Sequence, residues 1–207
     1  MQLIPQFNDL TRYLEASEVI DFGRDAVCPI TDLSLKIAAY SKDEIDYIRN
    51  AFEYVRDHIF HSADINGSKV TCRASDVLLV REGICYAKAH LLAAVLRCNR
   101  IPAGFCYQRI LLDDDLAPYL VLHGLNAVYI AKYDRWVRLD TRGNKPGVDA
   151  QFSLEQERLA FPVRAEKGEK DIPIVFACPD EGVIRALTVH ESLDALWANL
   201  PTELHAY

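Results

Sequence analysis

The chain has 207 residues, of which 50% are apolar and 26% charged, and its formal net charge is −7. This length fits a single domain, and the apolar fraction is large enough to build a core. The negative charge argues against nucleic acid or an anionic membrane as a partner, because both are bound through basic patches.

The N-terminal residues lack a basic start followed by a long apolar run, and no stretch approaches ~18 consecutive apolar residues. We therefore expect no signal peptide, no transmembrane helix and a cytoplasmic location. The six cysteines are scattered, without a C-x-x-C pair. We expect them to be free thiols, and we expect neither a metal ion nor another cofactor.

Short helices are predicted at the start of the chain, one over residues 10–14 and another beginning near Thr31. A longer helix is predicted over residues 41–59. It opens with Ser41 and, three residues later, Glu44, which is the pattern of a capping box. Apolar residues then recur at helical spacing, so one face of this helix is expected to cover the core.

The stretch REGICYAKAHLLAAVLR, residues 81–97, predicts the central helix of the fold. Its apolar residues recur at helical spacing, and the helix is expected to end before Pro102. Cys85 lies in its first turn, where free backbone N–H groups and the helix dipole favour a thiolate. Gly83 lets the backbone turn sharply and leaves room for a group to approach the sulfur.

Three strands are predicted after this helix, at residues 105–112, 123–131 and 136–141. They form an antiparallel meander in this prediction, because polar turns separate them. A helix followed by such a meander predicts an α+β fold, with the cysteine-bearing helix packed on the antiparallel sheet.

The C-terminal part of the sequence is less regular. Residues 172–178 are expected to add a strand. A second capping box, from Thr188 to Glu191, predicts a closing helix over residues 189–199.

A nucleophilic cysteine needs a base within hydrogen-bonding reach and a third group that orients the base. Of the six histidines, His123 is the best placed, because it opens one predicted strand and Asp140 ends the next. A hairpin turn midway between them folds Asp140 back to a position roughly opposite His123. If that face of the sheet points at the start of the central helix, Cys85, His123 and Asp140 form a triad. Asn126 and Asn144 are alternative third members.

The stretch REGICYAKAHLLAAVLRCNRIPAGF resembles the core motif of the transglutaminase-like cysteine enzymes. In that family a glycine and one further residue precede the nucleophile, and a leucine-rich helix ends in the pattern R-x-x-x-I-P-A. Arg97, Ile101, Pro102 and Ala103 match that ending. His123 with Ala127-Val128-Tyr129 resembles the family's histidine strand, and Trp136 with Leu139-Asp140 resembles its tryptophan and aspartate strand. The resemblance covers residues 41–145, and the rest of the chain looks most like a bacterial subgroup.

The resemblance implies a papain-like or transglutaminase-like core in which Cys85 is the nucleophile, His123 the base and Asp140 the residue that orients the base. Two features depart from the family pattern. Gly124 and Leu125 follow the histidine where the family often has Ala-Trp. No tryptophan precedes the cysteine, so the oxyanion partner of animal transglutaminases is missing, although the backbone N–H of Cys85 can supply one donor.

Four residues next to the predicted triad are expected to contact substrate. Gly83 leaves space beside the sulfur, and Tyr86 is expected to form a pocket wall. Gly124 and Asn126 follow the predicted base along the same strand.

We therefore expect one domain, residues 1–207, with an N-terminal helical region at 1–40, a catalytic core at 41–145 and a C-terminal extension at 146–207. The predicted function is cysteine-dependent acyl transfer from amide bonds of peptides or proteins through a thioester, with hydrolysis favoured over transfer to an amine. The alternatives are a transglutaminase-type acyltransferase and an inactive binding module of the same fold. An arylamine N-acetyltransferase-like enzyme would have Arg-Gly-Gly before Cys85, and a peptide:N-glycanase-like enzyme would have paired C-x-x-C zinc ligands.

Overall fold

The structure is a computed structural model that describes residues 1–23, 28–112 and 119–205. The helices are α1 (Pro29–Tyr40), α2 (Glu44–His58), α3 (Ala74–Val80), α4 (Cys85–Cys98), α5 (Glu181–Val189) and α6 (Leu193–Trp197). The strands are β1 (Ile4–Pro5), β2 (Phe60–His61), β3 (Glu82–Gly83), β4 (Ala103–Leu112), β5 (Tyr119–Ile130), β6 (Arg135–Leu139) and β7 (Lys170–Phe176). Among these helices none is both long enough and apolar enough to cross a membrane.

A mixed sheet forms one layer of the fold, with its strands in the order β1-β7-β4-β5-β6. The pairs β4–β5, β5–β6 and β4–β7 are antiparallel, and the short edge strand β1 lies parallel to β7. The helix α4 contacts β4 and β5 on one side and α1, α2 and α3 on the other. The structure thus confirms the predicted α+β class, with the cysteine-bearing helix packed on a largely antiparallel sheet.

The central helix α4 is buried on all sides, from Tyr86 to Arg97. The helical spacing of its apolar residues had predicted a buried helix with one face directed at the core. Residues at every angular position are buried because other helices cover the side of α4 that the sheet does not.

The end of α4 is anchored by Arg97, whose side chain is buried. Its Nε and Nη2 donate to the Ala103 carbonyl, at 3.0 and 2.7 Å, and Nη2 also donates to the Ala177 carbonyl at 2.6 Å. Its Nη1 donates to the Glu15 carbonyl at 2.8 Å. One guanidinium therefore joins α4 to the N-terminal segment, to β4 and to the residue that follows β7.

Two predicted helix starts differ from the structure. The α2 helix begins at Glu44, and its N-cap is Asp43, whose carboxylate accepts the Asp46 N–H at 2.8 Å. The hydroxyl of Ser41 instead donates to the Ile37 carbonyl, because α1 runs on to Tyr40 and its last carbonyls need partners.

The closing helix predicted over residues 189–199 is also corrected. The helix α5 occupies residues before it, where none was predicted, and ends at Val189 with Asp180 as its N-cap. The short helix α6 begins at Leu193, where the hydroxyl of Ser192 accepts the Ala195 N–H at 3.3 Å. Thr188 therefore lies inside α5 and caps no helix.

Candidate active site

Cys85 is the first residue of α4, and the strand β3 leads directly into it. The residue before it, Ile84, is the N-cap position and has an aliphatic side chain that cannot accept a hydrogen bond. The backbone N–H groups of the first turn are therefore not used by a capping side chain. The Cys85 side chain is partly exposed and lines a cavity, so a small molecule can reach the sulfur.

His123 lies within β5, four residues after the strand begins at Tyr119, and not at its start as predicted. Its Nε2 is 2.8 Å from Oδ2 of Asp140, the residue that follows β6. Both side chains are buried, with 3% of His123 and 1% of Asp140 exposed. The structure thus brings the predicted histidine and aspartate together inside the protein.

The register of the β5–β6 hairpin explains this contact. Asn126 pairs with Leu139, so the same register continued by one residue sets Asp140 opposite Leu125. Residues two apart on a strand point to the same face, so Asp140 remains a diagonal neighbour of His123. The sequence predicted the two residues to be roughly opposite each other, which is two positions from the observed register.

The Asp140 carboxylate is held by two backbone groups as well as by His123. Its Oδ1 accepts the Arg142 N–H and its Oδ2 accepts the Ala160 N–H, each at 3.0 Å. Burial disfavours the ionised carboxylate, but the His123 ring and these hydrogen bonds outweigh burial and lower the pKa of Asp140. Asp140 therefore stays ionised beside the imidazole.

The His123 ring and the Cys85 side chain line the same cavity, and the sulfur is close enough to the ring to affect its pKa. Burial opposes a charged imidazole, but the charges of Asp140 and of the Cys85 sulfur outweigh it and raise the pKa of His123 to about 10. Because Nε2 faces Asp140, Nδ1 is the ring nitrogen left to exchange a proton with the sulfur. The Phe161 ring packs edge-on against the imidazole, with centroids 5.0 Å apart, and further fixes its orientation.

Replacing Asp140 with asparagine is expected to lower the pKa of His123, because the largest stabilising charge on the imidazolium is lost while burial remains. NMR titration of the ring protons, assigned with a His123→Gln variant, measures this shift. The matched control is Asp194→Asn at an exposed position of α6, which should leave the His123 midpoint unchanged. An equal midpoint in wild type and Asp140→Asn would contradict the assigned role of the carboxylate.

The alternative third members of the triad lie elsewhere. The Asn126 amide is buried and donates to the carbonyls of Ala89 and Gly104, at 3.0 and 3.2 Å. The Asn144 amide exchanges two hydrogen bonds with the backbone of Ala150. Neither amide hydrogen-bonds to the His123 ring.

Of the four residues expected to contact substrate, one lines the cavity and three lie outside its lining. Tyr86 lines the cavity beside Cys85, and its hydroxyl donates to the Leu122 carbonyl. Gly83, Gly124 and Asn126 lie outside the cavity lining. A Cβ on Gly124 would lie 2.6 Å from Cδ1 of Tyr86, so this glycine lets the tyrosine ring pack against β5. Substrate binding by all four residues stays a prediction.

Gly83, like Gly124, allows two elements of the fold to pack closely. A Cβ there would lie 3.0 Å from both the Ala87 side chain and Oγ1 of Thr71. The glycine therefore allows β3 to approach α4 closely, which is a different reason from the access to the sulfur that the sequence suggested.

The cavity beside Cys85 has a volume of about 120 Å³. Its polar lining comes from Cys85, His123, His61 and Arg142. The apolar lining comes from both long strands and from the C-terminal part of the chain, and includes Ile110, Val121, Leu122, Phe161, Trp197 and Leu200. The site is therefore mostly apolar, with its few polar groups gathered around the sulfur.

Two of these polar side chains were not identified from the sequence. The Arg142 guanidinium binds both carboxylate oxygens of Asp64. His61 is brought to the site because β2 lies parallel to β3, with His61 paired to Gly83. Burial, and then the charge of Arg142, lower the pKa of His61 well below its ordinary value, so the ring is neutral. Its Nδ1 is buried without a hydrogen-bond partner among the described residues.

Lys88, one turn after Cys85 in α4, fixes the segment that carries His61. Its buried Nζ donates to the carbonyls of Arg56 and Ile59, at the end of α2 and two residues before His61. Burial lowers the pKa of Lys88 to about 7. The same helix thus holds both the cysteine and the segment that delivers the second histidine.

Phe161 and Trp197 were also not identified from the sequence as residues of the site. Both lie in the C-terminal part, whose short elements have weak periodicity. They supply aromatic walls of the cavity.

Comparison with known proteins gives a family match and distant structural similarity. The family model described as the transglutaminase-like superfamily matches residues 31–141. A search of curated proteins finds no match. A solved structure described as that of a candidate cysteine protease from Cytophaga hutchinsonii is 17% identical, with a TM-score of 0.50 over 66% of this chain and 43% of that one. At this identity the similarity concerns the fold.

A second similar structure is the periplasmic domain of TgpA from Pseudomonas aeruginosa. It is 14% identical and has a TM-score of 0.45, over 64% of this chain and 47% of that one. The matched region is thus less than half the length of either solved chain.

Proposed function

Because the chain belongs to the transglutaminase-like superfamily, we propose that it is a cysteine-dependent acyl-transfer enzyme with Cys85 as nucleophile, His123 as acid and base, and Asp140 as the residue that orients His123. Superfamily membership supports a cysteine-dependent enzyme in general. The observation that carries the finer assignment is the buried, hydrogen-bonded His123–Asp140 pair, whose imidazole lines the same cavity as the partly exposed Cys85 side chain.

The reaction begins with attack of the Cys85 thiolate on the carbonyl carbon of an amide or ester. The protonated His123 gives its Nδ1 proton to the leaving amine or alcohol as the tetrahedral intermediate collapses to a thioester. His123 then takes a proton from water as the water oxygen attacks the thioester carbon. The C–S bond breaks and the carboxylic acid leaves, and the proton on the imidazolium either stays there beside the thiolate or passes to the sulfur. Asp140 stabilises the imidazolium in both steps.

The tetrahedral intermediate needs hydrogen-bond donors for its negatively charged oxygen. The backbone N–H of Cys85 at the start of α4 is one donor. His61 is the second in this proposal, because its neutral ring lines the same cavity and has an unpaired buried nitrogen.

Replacing His61 with alanine is expected to lower kcat by about 10²–10³-fold with little change in KM, because an oxyanion donor acts mainly in the transition state. His61→Gln keeps a donor and should retain more activity than His61→Ala. Steady-state hydrolysis of an activated acyl ester by each variant gives kcat and KM separately. Equal losses in kcat for glutamine and alanine, or a change confined to KM, would contradict the donor role.

Hydrolysis is favoured over transfer to an amine, with amide bonds of peptides or proteins as substrates. Water can enter a partly open cavity. The described lining includes the cation Arg142, which does not attract a positively charged amine. Acyl transfer to an amine remains the second candidate, because it uses the same thioester.

A labelling experiment tests the proposal. Iodoacetamide, added in limiting amount to the wild-type protein, is expected to alkylate Cys85 faster than the more exposed Cys178, because the proposed base His123 lines the same cavity as the Cys85 sulfur and can accept its proton. Peptide mapping by mass spectrometry gives the two rates. The proposal fails if Cys178 reacts while Cys85 remains unmodified.

A further inference from the structure

We propose that the cavity beside Cys85 is an acyl-group subsite that selects donors with a small, uncharged aliphatic side chain, about the size of that of valine or leucine. This inference rests on the proposed function, because it assumes that Cys85 accepts the acyl group. It specifies the substrate class, which the acyl-transfer chemistry by itself leaves open.

The floor of the cavity is the face of the sheet that carries His123. Val121 lies two residues before His123 on β5, so the two side chains point to the same face. Ile110 is the cross-strand partner of Val121 on β4 and shares that face. An acyl group bound to Cys85 would therefore contact aliphatic side chains directly beside the reacting carbonyl.

The outer wall comes from the C-terminal segment of residues 193–205. Trp197 and Leu200 line the cavity from this side. The segment is attached to β5, because the Leu122 N–H donates to the Pro201 carbonyl at 2.7 Å and the Tyr119 hydroxyl donates to the Trp197 carbonyl at 3.1 Å. It lies outside residues 31–141, which match the family model. One wall of the subsite is therefore formed by residues beyond the part that defines the family.

The charges around the cavity disfavour a charged donor. Arg142 is already paired with Asp64, with Nη2 and Oδ1 2.9 Å apart, and Asp64 also accepts from Lys145. A carboxylate in the cavity would have to compete with Asp64 for this guanidinium, and an ammonium group would be repelled by it. The charged His123 is already paired with Asp140, and neutral His61 offers no counter-charge for either. A charged side chain would thus lose its hydration without gaining an ion pair.

The volume limits the size of the acyl group. A cavity of about 150 Å³ lined by aliphatic and aromatic side chains binds benzene, and this cavity measures about 120 Å³. A branched aliphatic group fills that space, whereas a benzyl group attached to a backbone exceeds it and has to extend through the open side of the cavity. Each methylene that fits is expected to improve kcat/KM by about tenfold or more.

The test compares p-nitrophenyl esters of N-acetyl amino acids as acyl donors for the wild-type protein. The expected order of kcat/KM is leucine and valine above alanine and alanine above glycine, with phenylalanine, glutamate and lysine at least about 100-fold below leucine. Leu200→Ala should enlarge the cavity and raise the rate with the phenylalanine ester relative to leucine. The matched control is Leu79→Ala on α3, where the side chain is 80% exposed and the order should not change.

The outcomes separate this inference from the proposed function. Acylation of Cys85 with similar kcat/KM for all esters, or with preference for a charged ester, would overturn the subsite and leave the nucleophile in place. Failure of every ester, including p-nitrophenyl acetate, to acylate Cys85 would overturn both. If Leu200→Ala does not fold, as judged by circular dichroism, the wild-type order and competition between N-acetyl-leucine and N-acetyl-lysine chloromethyl ketones for Cys85 still decide the question.

Discussion

Cys85→Ala is expected to reduce the hydrolysis of activated acyl esters by about 10⁴-fold or more. The sulfur is the atom that forms the thioester, and alanine removes it without filling the cavity. The buried pair of His123 and Asp140 does not need the sulfur to form, so the variant should fold. Steady-state rates with p-nitrophenyl acetate, together with intact mass spectrometry for the acyl-enzyme, measure the effect.

The control for this prediction is Cys178→Ala, which removes an exposed thiol that lies outside the described lining of the cavity. It should keep the wild-type rate and the wild-type acyl-enzyme signal. Residual turnover in Cys85→Ala close to that of the control would refute the nucleophile assignment. A wild-type protein that forms no acyl-enzyme with any ester would instead favour the inactive binding module.

Arg97→Met is expected to destabilise the protein by about 3 kcal/mol or more, which is the second large effect. The guanidinium is 2% exposed and satisfies the carbonyls of Ala103, Ala177 and Glu15. Methionine fills much of the volume but leaves these acceptors without a donor, and each buried unpaired acceptor costs about 1–3 kcal/mol. Chemical denaturation followed by circular dichroism gives the free energy of unfolding.

Arg185→Met on the exposed face of α5 is the matched control, because it makes the same chemical change at a solvent-accessible position. Its unfolding free energy should differ from that of wild type by less than about 0.5 kcal/mol. A similar small change for Arg97→Met would show that the buried carbonyls find other partners, and would contradict the anchoring role.

The R-x-x-x-I-P-A pattern shows how a sequence motif can be recognised before its physical reason is known. Arg97 and Ala103 belong to the motif, and the structure shows that the first donates two hydrogen bonds to the carbonyl of the second. The two residues are close in the sequence, so a short sequence motif can include both partners of the contact. The bonds from the same guanidinium to Glu15 and Ala177 join distant segments, and no local pattern signals them.

The contact between His123 and Asp140 was accessible from sequence for a related reason. A hairpin links their strands, and a register error of two residues leaves the side chains on the same face. An error of one residue would have turned Asp140 to the opposite face. The position of His61 could not be predicted in this way. Its strand pairs in parallel with another strand of two residues, and such short strands have too little periodicity to be detected in the sequence.

The amino-acid sequence by itself determined the α+β class, the central helix with Cys85 in its first turn, and the hairpin that holds His123 near Asp140. These features depend on helical spacing, strand composition and short connections, which are local properties of the chain. The tertiary structure decided the cavity: the parallel pairing that brings His61 beside the cysteine, and the C-terminal segment that places Trp197 and Leu200 over it. Those contacts join residues far apart in the chain, and their energy comes from packing that exists only once the core has formed.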